Sequence, residues 1–210
     1  MSEMKASRAN LKLAIAAALL ASLPALGQTA PIVKTFWIEP CSVVTSACSE
    51  GDADLARWAL DAWSAASQKQ LQFAETKDRN KALLRFLWAG KDSGLYGEAV
   101  PILVNGASGS ELHIQLPPPG EKDNLLRDTV VYLTCLHESG HALGLDHTAV
   151  FADIMYSFYY GGDLVEYFAR YRRKLIRRDD IRTNSGMSDA DRAALLRRVE
   201  SKSVSQAGFR

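Results

Sequence analysis

The chain has 210 residues, 47% of them hydrophobic and 23% charged, with a formal net charge of +1. That length and apolar content suit one domain with a core of its own and exclude a disulfide-dependent miniature or a disordered chain. The near-neutral charge balance gives no reason to expect nucleic acid as a partner.

Lys5, Arg8 and Lys12 precede an apolar run from Leu13 to Leu23, and Pro24-Ala25-Leu26-Gly27 follows. A basic start, a short apolar centre and small residues at a cut site predict a secretory signal peptide over 1–27. An uncleaved anchor is the alternative, but the run is shorter than the roughly 18 apolar residues that spanning needs. The expected mature chain, 28–210, is a secreted or periplasmic monomer without a transmembrane segment. Export permits disulfides. Cys41 and Cys48 are close enough to close a small loop, which would leave Cys135 as a buried, inert thiol; spacing alone leaves the pairing open.

Ile32 to Ile38 is rich in β-branched and aromatic residues and predicts a first strand. Asp52 or Asp54 is placed to cap a helix reaching to about Gln70. Its apolar positions Leu55, Trp58, Ala59, Ala62, Trp63 and Ala66 recur at intervals of three and four. A short segment, Leu71 to Ala74, leads into a polar loop, and Leu83 to Trp88 predicts the next strand. Glu98 to Val104 and Glu111 to Leu116 predict two more, separated by a turn over Asn105 to Ser110; Pro117 to Pro119 stop the second. A long helix is expected from about Asn124 through Leu143.

Residues 137 to 147 read His-Glu-Ser-Gly-His-Ala-Leu-Gly-Leu-Asp-His. Residues four apart share a helix face, so His137 and His141 can aim at one point. Glu138 points in a neighbouring direction, where it can reach a metal-bound water without ligating the metal. Gly144 can adopt a left-handed conformation and turn the chain back, bringing His147 to the same ion. Three imidazoles and a vacant fourth position describe a catalytic zinc site, with Glu138 as general base. A bare H-E-x-x-H arises by chance, but here three of the four histidines lie within eleven residues of an exported chain. The fourth, His113, stands alone in a predicted strand and is read as a surface or inter-strand residue.

With Asp153-Ile154-Met155-Tyr156 following, this segment resembles the metzincin clan of zinc peptidases, and within it the matrixin (matrix-metalloprotease-like) branch. Weaker likenesses flank it in the expected order. These are Ala59-Leu60-Asp61-Ala62-Trp63, Leu71-Gln72-Phe73, and a closing helix after Met187-Ser188-Asp189-Ala190-Asp191, where Ser188 is a credible N-cap.

The resemblance implies an α+β, zincin-like fold: a twisted mixed sheet, about three main helices, and a substrate cleft above one zinc. It implies that Met155 forms the Met-turn, an apolar floor under the histidines, and that Ser157 to Gly162 shapes the primed-side pocket. The aromatics Phe158, Tyr159 and Tyr160 are open to either a pocket or a core role. Ser157 stands where astacin- and serralysin-like relatives carry a ligating tyrosine.

The implied activity is hydrolysis of protein or peptide substrates laid along an edge strand, for which Glu98 to Val104 is the candidate. A zinc-binding or surface-binding module without catalysis is the alternative, against which an intact Glu138 argues. The chain lacks a Pro-Arg-Cys-Gly latency motif and the histidines of the second zinc of vertebrate matrixins, and no calcium loop stands out.

Between the Met-turn and the closing helix, residues 163–183 form a basic helical insertion. Leu164, Phe168, Tyr171 and Leu175 recur at helical spacing amid Arg170, Arg172, Arg173, Lys174, Arg177 and Arg178. It reads either as a surface helix with one packed face or as a patch for anionic surfaces, and the first is favoured because long cationic side chains commonly cover apolar faces.

Overall fold

The computed structural model describes residues 30–41, 47–89, 96–117 and 123–207. The signal-peptide segment and prolines 118 and 119 lie outside them. Pro31–Arg210 form one compact unit.

Five strands make one sheet in the order β2-β1-β3-β5-β4, with β1 at Ile32–Ile38, β2 at Leu71–Glu75, β3 at Leu84–Ala89, β4 at Gly97–Val104 and β5 at Ala107–Gln115. All neighbours are parallel except β4, which runs antiparallel to β5 along one edge. Leu71 to Glu75, unassigned from sequence, is a strand because Leu71 is buried and its backbone pairs with β1. The predicted turn over Asn105 to Ser110 shrinks to Asn105-Gly106. Both residues have positive φ (50° and 81°), the signature of a two-residue hairpin turn, so β5 begins already at Ala107.

Four helices pack around this sheet among the described residues: α1 (Asp52–Ala66), α2 (Asn124–Leu143), α3 (Leu164–Arg172) and α4 (Asp189–Ala207). Neither Asp52 nor Asp54 is the N-cap of α1; Gly51 is, and Asp52 opens the helix with its carboxylate turned back to the Ser49 amide and to Arg127. α1 ends at Ala66 rather than near Gln70, since Gln68 and Lys69 both take positive φ. α2 is capped by Asp123, which accepts from the amides of Leu125 and Leu126. Ser188 and Asp191 exchange backbone and side-chain hydrogen bonds at the start of α4.

The core lies between the sheet and α1 and α2. Leu84, Phe86, Leu112 and Ile114 from the sheet meet Leu55, Leu60 and Trp63 of α1 and Val131, Cys135 and Leu136 of α2, all essentially inaccessible. Burying side chains of this size contributes about 1.5–3 kcal/mol each before ordering entropy is counted. The Trp63 indole N–H donates to the Leu136 carbonyl and the Ser139 hydroxyl, at 3.0 and 2.9 Å, fixing α2 on both sides of His137 and Glu138. Cys41 and Cys48 are disulfide-bonded and Cys135 is a buried free thiol. No helix among the described residues is long and apolar enough to cross a membrane.

The basic segment is helical only over Leu164–Arg172, with a short 3-10 turn at Arg178–Arg182. Each of its six arginines has a partner inside the chain, Arg182 lying over the Trp58 ring. Arg172 pairs with Asp123, Arg173 with Glu166, Arg177 with Asp180 and Arg178 with Asp128, while the Arg170 guanidinium lies over the rings of Phe151 and Tyr167. Tyr167, Phe168, Tyr171 and Leu175 are buried, giving the segment one packed face.

Candidate metal centre and active site

α2 carries His137 and His141 on one face and ends at Gly144, whose φ of 92° and ψ of 27° are left-handed. The amides of Gly144 and Leu145 close the helix onto the carbonyls of His141 and Gly140, and the reversed chain returns His147 to the same place. The three Nε2 atoms converge: 3.1 Å between His137 and His141, 3.0 Å between His141 and His147, and 3.3 Å between His137 and His147. Nitrogens bound tetrahedrally at 2.0–2.1 Å from zinc would stand about 3.3 Å apart, so the spacing fits one such ion.

Proton placement agrees with that fit. His137 Nδ1 lies 2.7 Å from the Ile154 carbonyl and His141 Nδ1 lies 3.0 Å from the Leu145 carbonyl. A carbonyl oxygen only accepts, so both Nδ1 atoms carry a proton, and in the neutral ring this tautomer leaves the Nε2 lone pair facing the cluster. Burial, together with repulsion by the neighbouring imidazoles, lowers the His137 pKa to about 4 despite its bond to Ile154. Burial also lowers that of His147, with His141 adding to the effect. Facing lone pairs at this distance repel one another unless a cation sits between them. Among the described residues this is the one cluster of histidine, cysteine and carboxylate atoms spaced to hold a metal ion.

Glu138 is buried beside the cluster. Burial raises its pKa to about 8, with the Glu98 carboxylate adding to the effect. Gly97, at the start of the edge strand, lies directly against it: a Cβ there would fall 2.6 Å from Glu138 Oε1 and 2.7 Å from Thr134 Cγ2.

Met155 is buried beneath α2, where a Cβ on Gly140 would collide with its sulfur. Thr148 and Tyr156 form a β-bridge that ties this turn to the residue after His147. The turn's amides are held from below: Asp191 Oδ2 accepts from Ile154 N at 2.8 Å, while Met155 N is 3.4 Å from Oδ1. The Tyr156 hydroxyl donates to the Gly161 carbonyl. Phe158 packs one side on Tyr156 and Tyr167, and all three aromatics, Phe158, Tyr159 and Tyr160, are exposed. His113 lies on β5 opposite Glu98, away from the cluster.

Sequence reasoning missed the roles at the site of Gly97, Gly140, Trp63, Asp191 and Tyr167. The two glycines had a signal, since a glycine inside a strand or a helix often marks a close approach. The other three act through tertiary contacts that carry no local pattern.

The family model described as Matrixin matches residues 41–181, a span that includes the three imidazoles and Met155. The solved structure of myroilysin is similar to the chain at 13% sequence identity over 78% of this chain and 72% of its own, with a TM-score of 0.38. No curated protein matches the chain.

Proposed function

The chain belongs to the matrixin family, and from that membership and the convergence of His137, His141 and His147 we propose that it is an exported zinc endopeptidase with Glu138 as its general base. The single observation that carries this reading is the trio of Nε2 atoms 3.0–3.3 Å apart, two of them on rings whose Nδ1 atoms donate to backbone carbonyls. Three neutral imidazoles suit a catalytic site because they leave one tetrahedral position for water or substrate.

Zinc held there would lower the pKa of a coordinated water and polarise a peptide carbonyl. The rest is the work of this chain's own residues. Glu138, protonated near neutrality when no cation is close, becomes a carboxylate when positive charge arrives at the imidazoles. It accepts the proton of the attacking water and returns it to the leaving amine. β4 offers an outer edge unpaired by any described strand, along which an extended peptide adds by backbone hydrogen bonds. Gly97 keeps the near end of that edge close to Glu138. Secretion follows from the basic and apolar N-terminal segment, and the Cys41–Cys48 bond suits an oxidising compartment.

Purified mature protein should contain about one zinc per chain and cleave peptides in a chelator-sensitive manner. Glu138→Gln should keep the zinc while losing at least about a hundredfold in turnover. Full turnover in that variant would end the general-base assignment, and an absence of zinc from the parent would end the whole reading.

A further inference from the structure

The basic segment sends one buried hydroxyl to the metal centre. Tyr167 on α3 is 4% exposed, and its O–H lies 3.2 Å from the carbonyls of both Asp153 and Ile154. The Ile154 carbonyl is also the acceptor for the His137 Nδ1–H. Its own amide is held by Asp191. A single residue of the Met-turn is therefore gripped from α2, α3 and α4.

The ring that carries this hydroxyl is fixed. Arg170 lies 4.5 Å over its face, and Phe151, Phe158 and Phe168 meet it edge-on at 5.6, 5.2 and 5.4 Å. Burial pushes the Tyr167 pKa up, so the phenol stays a donor across the working range.

We propose that Tyr167 is a positioning residue for the metal centre: by donating to the Ile154 carbonyl it fixes the acceptor that orients the His137 ring, and so sets how tightly the three-histidine site holds its ion. The proposal rests on the zinc reading above. Without the hydroxyl, two buried carbonyls lose a donor, the Met-turn peptide gains freedom to rotate, and the His137 ring follows it. The basic segment then serves the active site as a brace.

The test is zinc affinity, measured by competition with a chromophoric chelator on the full mature chain. Tyr167→Phe keeps the ring and should bind zinc about tenfold more weakly, the low end for an outer partner of a metal ligand. Its peptidase activity should return when free zinc is raised. Tyr171→Phe is the control, because the Tyr171 hydroxyl is buried on the same helix but donates to the Asn184 carbonyl, away from the histidines. It should lower thermal stability while leaving zinc affinity within about twofold of the parent. If the parent binds zinc and Tyr167→Phe binds it as tightly, the proposal fails and the zinc reading stands. Equal weakening in both variants, or loss of folding in Tyr167→Phe alone, reduces Tyr167 to a structural role and overturns the proposal. A parent that binds no zinc withdraws both.

Discussion

Gly140 stands in the last turn of α2, still inside the helix, where glycine costs up to about 1 kcal/mol relative to alanine. Its missing side chain leaves room for the Met155 sulfur against the helix and for the Trp63 ring, 3.1 Å from where a Cβ would stand. Gly140→Ala should therefore destabilise the protein by about 1–3 kcal/mol through overpacking, where an exposed site would gain from the same change; urea denaturation of the zinc-loaded protein measures it. Gly97 plays the corresponding part for the base. Gly97→Ala should displace the Glu138 carboxylate by a fraction of an ångström and cut kcat/KM by about ten- to a hundredfold. Zinc content, read by metal analysis on the same sample, should not change.

At the scale of elements, the site is a meeting of the α2 C-terminus, the Met-turn and the first turn of α4. Asp191 joins the last two: its buried carboxylate caps α4 and holds the Ile154 amide. Asp191→Asn exchanges charge-assisted acceptors for a neutral amide and should cost about 1.5–3 kcal/mol, with faster zinc release into excess chelator as the second readout.

The histidine cluster was legible in sequence because its geometry is local. Four-residue spacing, a helix-ending glycine and a three-residue return need no knowledge of the rest of the chain. α1 was legible as a run whose apolar period matches its burial, and β1 as a run of β-branched and aromatic residues. β2 was not, because Leu71 to Glu75 is too short to show a period and is a strand through its pairing with β1. The roles of Asp191 and Tyr167 were hidden too, since each acts on a turn more than ten residues away in sequence.

Over the molecule as a whole, α1 is tied to α2, the helix that carries His137 and His141, by a buried ion pair. Arg127 of α2 makes two bonds to Asp52, at 2.7 and 2.8 Å, and a third to the carbonyl of Ala47, beside Cys48. Asp52 is wholly inaccessible and holds the Arg127 pKa above its ordinary value. Asp52→Ala would leave a guanidinium buried without its counter-charge and should cost about 3–5 kcal/mol, read as a lowered denaturation midpoint. The same logic runs through the basic segment, whose arginines hold α3 to the caps and flanks of α1 and α2.

In the proposed centre three imidazoles share one ion. X-ray absorption at the zinc edge of the loaded, mature protein measures that directly. It should give three nitrogen scatterers with imidazole multiple scattering, plus one light-atom scatterer from solvent, all at about 2.0–2.1 Å. A sulfur shell near 2.3 Å, or fewer than three imidazoles around the ion, would contradict it.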